Sequence, residues 1–331
     1  MREPERERRE GGRRGLRVRI AVSLALLLLL VLFVDWGRLG ARLGAADPIL
    51  MLAVVALATA DRLLMAWKWW LLVRSRDAAL GLWAAVRAYY LGSFAGYFLP
   101  MTVGADAVRV GALAGTSRPA VLVASVVLER LIGVLAQAVL AGLSVATLVT
   151  LGLGARVGPA ERWGLGAVVA LAFTAFPFSF PAARWVAARL ASGGGWRRAL
   201  RVLAEQYAGY GGSTGLLCVF FALTLIEGGF PVVIHYTAGR ALGLNPGWSF
   251  YIATVPLVYL VARLPVSLGG LGFLELSFVT LAGFLGVSLT DAFAIAGLAT
   301  ALYLVALVPG AVLYLIPATA PVRPAPRARL P

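Results

Sequence analysis

The chain has 331 residues, 60% of them hydrophobic and 14% charged, with a formal net charge of +15. One cysteine (Cys218) and one histidine (His235) exclude a disulfide framework and a Cys/His metal centre, and no cofactor is expected. The apolar fraction lies outside the usual soluble mix, and the arginines fall between apolar stretches, so anionic lipid headgroups rather than nucleic acid are the expected partners.

Residues 1–19 hold eight arginines and four glutamates and are expected to be disordered and cytoplasmic. Ile20–Val34 is the first apolar run and reads as an uncleaved signal anchor, because the rest of the chain is itself membrane-embedded. Asp35–Asp47 reads as a short external loop, and Pro48–Val73 as a second span returning to Arg74 and Arg76. Leu80–Gly115 is apolar but punctuated: Gly92, Gly96, Pro100 and Gly104 recur every four residues. On a helix they make one small-residue face that lets backbones approach, and Pro100 ends the helix near membrane depth, so the segment reads as a re-entrant hairpin.

Pro119–Leu153 exceeds one perpendicular span and reads as tilted or as starting along the interface. Gly164–Phe180 is the next span. Residues 184–205 contain Arg184, Arg189, Arg197, Arg198 and Arg201 and are expected to be cytoplasmic. Gly215–Leu242 follows, interrupted by Glu227-Gly228-Gly229 and Pro231. Phe250–Val261 leads to a second break, Leu271–Val287 continues beyond it, and Ala292–Ile316 is the last span. The pattern predicts an all-α polytopic membrane protein with about eight transmembrane helices. One membrane domain covers 20–316, followed by a disordered Pro/Arg-rich tail over 317–331. The expected setting is a prokaryotic cell membrane, with the N-terminus cytoplasmic.

One six-residue pattern occurs twice: Leu99-Pro100-Met101-Thr102-Val103-Gly104 and Leu264-Pro265-Val266-Ser267-Leu268-Gly269. A carboxylate comes after each copy, Asp106 and Glu275. Broken helices persist at membrane depth only where protein packs them or a polar cavity borders them, and paired breaks point to a transporter's binding site. Pro100, Gly104, Pro265, Ser267, Gly269, Gly270 and Gly272 would shape this broken backbone. The residues fit a parallel or an inverted repeat equally well.

A charge at the bilayer centre costs roughly 2.5–3.5 kcal/mol on insertion scales, so each one needs a reason. Ser125, Glu129, Gly133 and Gln137 recur every four residues and form one polar stripe. Arg130 lies about 100° around the helix from Glu129, so the two do not form a self-contained pair. Asp106 and Arg109, three apart, can pair. Glu227, Pro231 and His235 share a helix face. Arg109 and Arg130 supply the charge and fork geometry that phosphate oxygens need. Asp106, Glu129, Glu227 and Glu275 would balance charge or relay protons. Each also has a plain structural reading: a local salt bridge for Asp106–Arg109, a helix cap for Glu275, a satisfied core histidine for His235. Asp61-Arg62 and Arg263 read as snorkelling to an interface, and Trp67-Lys68-Trp69-Trp70 as an interfacial belt.

Three stretches in order resemble the flippase-like family typified by the membrane domain of lysylphosphatidylglycerol synthase. They are Pro100-x3-Gly104-x-Asp106-x2-Arg109, Ser125-x3-Glu129-Arg130-x2-Gly133, and Pro265-x-Ser267-x-Gly269-Gly270-Leu271-Gly272-x2-Glu275. The resemblance spans roughly 20–316 and implies a membrane protein that binds lipids and moves them between leaflets. In synthase relatives a soluble domain makes the lipid; without it, synthase activity is not expected of this chain. Leu304 stands where relatives often carry an arginine and Gly96 where a polar residue is common, which implies a different or less charged headgroup. The resulting expectation is a non-enzymatic lipid transporter. The alternatives are a scaffold for a lipid-modifying enzyme and a membrane-embedded lipid transferase.

Overall fold

A computed structural model describes residues 34–98, 102–153, 159–190, 194–263 and 272–315. The basic segment 1–19, the first apolar run up to residue 33 and the tail 317–331 lie outside the described residues. So do Pro100, Pro265, Ser267, Gly269 and Gly270.

The described residues are helical, with no strand among them. Helix α1 (Trp36–Gly44) is followed by α2 (Pro48–Arg74), α3 (Leu82–Phe98), α4 (Thr102–Ala112) and α5 (Pro119–Leu148). Next come α6 (Pro159–Arg189), α7 (Trp196–Gly209), α8 (Thr214–Ala241), α9 (Trp248–Val261), α10 (Phe273–Phe284), α11 (Leu289–Ala306) and α12 (Val308–Leu315). Among the described residues, five helical stretches are long and apolar enough to cross a bilayer: Pro48–Arg74, Pro119–Leu153, Val169–Arg189, Thr214–Ala241 and Leu289–Leu315. At 1.5 Å per residue, α4 is only about 16 Å long, too short to span alone.

The helix boundaries have local causes. The Asp47 carboxylate accepts the backbone N–H groups of Ile49 and Leu50, with Pro48 opening the first turn of α2, as a helix start requires. Ser288 caps α11 through the N–H of Asp291. The expected loop over Asp35–Asp47 is mostly helix instead. Asp35 caps α1 by accepting from Arg38 N–H, and Arg38 and Arg42 both pair with Asp291 at the start of α11.

The expected interruption at Glu227-Gly228-Gly229 and Pro231 is also absent, and α8 runs straight through all four. Glycine and proline are tolerated where neighbouring helices satisfy the backbone. Proline's effect is visible in α9, where Pro256 cannot donate to the carbonyl of Ile252. Ser144 of α5 donates to that carbonyl at 2.7 Å.

Helices α2, α5, α8, α9 and α11 pack together, with α10 beside α9 and α11 and α7 beside α5. Helices α3 and α4 form an antiparallel hairpin. A Cβ at Gly92 would meet the Ala105 carbonyl oxygen at 2.7 Å, and one at Gly96 would meet Ala105 Cβ at 2.7 Å. The small-residue face therefore closes a contact within the chain. The end of the bundle near Arg74 carries Arg76, Asp77 and Arg118, held together as Asp77 accepts from Ser117 Oγ at 2.7 Å and from Arg118 N–H at 3.2 Å.

Candidate functional site

The polar stripe of α5 forms one wall of the site. Ser125 accepts Trp69 Nε1–H of α2 at 3.0 Å, Glu129 receives Arg109 of α4, and the Gly133 carbonyl accepts Arg263 at 2.9 Å. Gln137 donates to the Pro256 carbonyl at 2.7 Å. Every member of the stripe thus meets a different part of the bundle. At Gly133 a Cβ would sit 3.5 Å from the Arg263 guanidinium, in ordinary van der Waals contact.

Arg109 is the most enclosed arginine of the cluster, its side chain 5% exposed. It pairs with Glu129 and, at 3.0 Å, with Asp106, while its guanidinium lies over the rings of Trp69 and Tyr89 at 4.7 and 5.0 Å. Tyr89 in turn approaches Glu129 at 3.4 Å. The other oxygen of Asp106 accepts from both Nε and Nη2 of Arg130 at 3.0 and 2.8 Å. The sequence places Glu129 and Arg130 on different faces, and each does find a partner on α4. Arg130 differs from Arg109 in exposure, with 44% of its side chain open.

Across the space from α5, Lys68 of α2 pairs with Glu227 of α8 and donates to Thr224 at 3.1 Å. Its side chain is 2% exposed. This overturns the reading of Trp67-Lys68-Trp69-Trp70 as an interfacial belt: Lys68 and Trp69 point into the bundle. Asp61 and Arg62, about two turns earlier, are likewise buried in the bundle as a pair at 2.5 Å rather than at an interface. Arg62 also lies over the Tyr303 ring at 5.2 Å.

These groups enclose a cavity of about 100 Å³. Lys68, Arg109, Arg130 and Arg263 line it, with Glu129, Glu227, Tyr89, Thr224 and Gln137, and apolar walls come from Met65, Ala136 and Leu140. Helical rise places Glu129 about 15 Å from the start of α5, so the cavity sits well inside the bundle. Arg263 lies just past the end of α9 and leads into residues 264–271, which hold the second motif. Four cations thus border the cavity, against two carboxylates.

Of the residues expected to carry function, the structure gathers Arg109, Glu129, Arg130 and Glu227 around one cavity, and Asp106 pairs with both arginines without lining it. Gly104 lies on α4, half a turn before Asp106. Glu275 stands apart: its carboxylate accepts Gly272 N–H at 2.7 Å and Thr300 Oγ1–H at 2.7 Å. It caps α10 where Gly272 adopts φ 77°, a backbone conformation suited to glycine. His235 is a core histidine, its Nδ1 against the Pro231 carbonyl at 2.8 Å and its ring beside Phe278 and Tyr259. Sequence reasoning missed Lys68, Tyr89, Thr224 and the cavity role of Arg263. One signal was present: Asp61 and Lys68 lie seven residues apart on α2, about two turns, and so share one helix face.

No curated protein and no solved structure matches the chain. A family match covers residues 17–310, which includes every element that borders the cavity. The chain belongs to the family described as the lysylphosphatidylglycerol synthase TM region.

Proposed function

We propose that this protein binds an amphipathic anionic lipid in the α2–α4–α5–α8 cavity and moves it between leaflets. The observation that carries the reading is the excess of cations in a cavity enclosed by membrane helices. The buried cations Lys68 and Arg109 each have a carboxylate partner, whereas Arg130 and Arg263 are exposed, and a phosphate oxygen would engage these two through charge-assisted hydrogen bonds. Arg130 and Arg263 are the more accessible donors, whereas Arg109 is held in place by two carboxylates and two rings. Glu129, Asp106 and Glu227 keep the cations compensated when the headgroup is away. Glu275 caps the start of α10 at Gly272.

The short α4 and the α3–α4 hairpin support a re-entrant segment beside the five long spans. In this reading they belong to an arrangement of about eight transmembrane helices with two broken segments. The concentration of arginine near the Arg74 end supports a cytoplasmic location for that end and for the N-terminus of a prokaryotic membrane protein. In this reading the chain is a transporter and not an enzyme, and a lipid-modifying enzyme that supplies the lipid is its natural partner.

The test is lipid transfer in reconstituted vesicles, read with a labelled anionic phospholipid. Wild-type protein accelerates exchange between leaflets, and Arg130→Gln lowers the rate tenfold or more while remaining folded. Equal rates for the variant and the wild type would remove Arg130 from the transport step, and rates equal to protein-free vesicles would remove the transport reading itself.

A further inference from the structure

A second group of charges lies at mid-depth and does not line the cavity: Asp61 and Glu275, both 4% exposed, and Arg62. Asp61 is about 20 Å along α2, and Thr300, which donates to Glu275, about 17 Å along α11. Both positions fall near the middle of a hydrocarbon core of ~30 Å. Tyr259 of α9 links them, because Asp61, Arg62 and Glu275 all act electrostatically on its hydroxyl.

The four oxygens of the two carboxylates are not equally served. Asp61 Oδ2 accepts from Arg62 at 2.5 Å. Glu275 accepts from Thr300 through Oε1 and from Gly272 N–H through Oε2. Asp61 Oδ1 is buried with no hydrogen-bond partner among the described residues, an arrangement that native proteins rarely keep without a reason. The charges are also uneven. Two carboxylates share one cation, and Glu275 forms no ion pair among the described residues. The other titratable groups facing the cluster are Tyr89 and Tyr90 of α3, Tyr303 of α11, and His235 and Glu227 of α8. Glu227 is held by Lys68, His235 meets the Pro231 carbonyl, and Glu129 of α5, beyond Tyr89, is held by Arg109. None of them balances the extra carboxylate.

We propose that this cluster binds one proton, at Asp61 Oδ1, and so couples lipid movement to a proton gradient. The inference rests on the proposal that the protein moves a lipid, and it adds the driving force. An O–H bond of hydronium breaks on the side where protons are abundant, and one forms at Asp61 Oδ1. Arg62 is then left to balance Glu275, and the net charge of the cluster goes from minus one to zero. That removes an uncompensated ion from mid-depth. Loss of the proton to water on the opposite side reverses the step, with no oxidation or reduction. A metal ion is a poorer fit, since no group of three His, Cys, Asp or Glu side chains is gathered among the described residues. One turn after Asp61, Met65 lines the cavity, so α2 carries both sites.

The experiment uses vesicles containing the full chain and a labelled phosphatidylglycerol, with the membrane potential clamped and a gradient of one pH unit imposed. An impermeant quencher reads the label in each leaflet. Wild type accumulates label in one leaflet, up to about tenfold for one proton per lipid, and the ratio returns to one when the gradient is dissipated. Asp61→Asn and Glu275→Gln each hold the ratio near one, whereas Asp77→Asn, at the Arg74 end, responds as wild type does. Two independent variants keep the test decisive if one fails to fold. Exchange by wild type with a ratio of one under the gradient would overturn the coupling and leave the transport reading standing. Accumulation driven equally by a sodium gradient at uniform pH would overturn the proton assignment. Exchange no faster than in protein-free vesicles would overturn the transport reading, and with it the coupling. Proton binding is read separately in acid-minus-alkaline infrared spectra: wild type gains a protonated-carboxyl band that Asp61→Asn lacks, and identical spectra would overturn the site.

Discussion

The Lys68 ammonium and the Glu227 carboxylate meet inside the bundle although 159 positions separate them in the chain. Their contact ties α2 to α8, and Thr224, one turn before Glu227, holds the same ammonium. Lys68 is the chain's only lysine. Its burial links the packing of the two helices to the charge balance of the cavity.

Breaking that pair from one side leaves an uncompensated buried charge. Lys68→Ala is expected to destabilise the protein by about 3–5 kcal/mol. The double variant Lys68→Met with Glu227→Met removes both charges and should recover most of that loss. Thermal unfolding of detergent-purified protein checks this, with the double variant melting above Lys68→Ala. A double variant melting below it would mean the pair is not the stabilising unit.

The two arginines on either side of Asp106 should separate in behaviour. Arg109→Gln strands Glu129 in a buried setting and is expected to cost about 3 kcal/mol or more. Arg109→Lys should not restore it, because a single ammonium cannot replace the fork that reaches two carboxylates. Arg130 is far more open, so Arg130→Gln should change stability by about 1 kcal/mol or less while reducing lipid retention. Melting curves and lipid content measured on the same preparations distinguish the two.

The α3–α4 hairpin gives a test of close packing. Gly96→Ala places a methyl against Ala105 Cβ, and Gly92→Ala places one against the Ala105 carbonyl oxygen. Each should cost about 1–3 kcal/mol as overpacking. Adding Ala105→Gly should rescue Gly96→Ala, since the obstructing atom is then gone. It should not rescue Gly92→Ala, where the obstruction is backbone. Melting temperatures of the four variants decide the matter.

How far these relationships were legible in the sequence depended on their range. The Asp106–Arg109 pair, the α5 stripe and the capping role of Glu275 are set by spacing along one helix or turn, and the residue pattern contains them. Lys68–Glu227 and Arg263–Gly133 join distant helices, and a single sequence does not encode which helices become neighbours. Trp67-Lys68-Trp69-Trp70 suits an interfacial belt or a buried face equally in composition; only the burial of Lys68 and Trp69 separates the two. Glycine and proline mark possible breaks, but α8 stays continuous because its neighbours pack against it, which local sequence does not report.

At the Arg74 end, Asp77 gives a pH dependence. Burial opposes its ionisation, yet the hydrogen bonds from the Ser117 hydroxyl and the Arg118 N–H outweigh that and hold its carboxyl below the usual value. Its contribution to stability is therefore fully present above the unfolded value near 4 and is lost as pH falls through the depressed folded value. The gap in melting temperature between wild type and Asp77→Asn should be open at pH 7 and shrink as the pH drops below about 4. A gap that widens on acidification would contradict the assignment.

The central claim is that the cation-rich cavity holds an anionic lipid. The most direct measurement is mass spectrometry of the lipids that survive detergent purification, comparing wild type with Arg130→Gln and Arg263→Gln. The account predicts one class of anionic lipid enriched in wild type over the membrane background and depleted in both variants. A lipid profile equal to the background and unchanged by either substitution would contradict it.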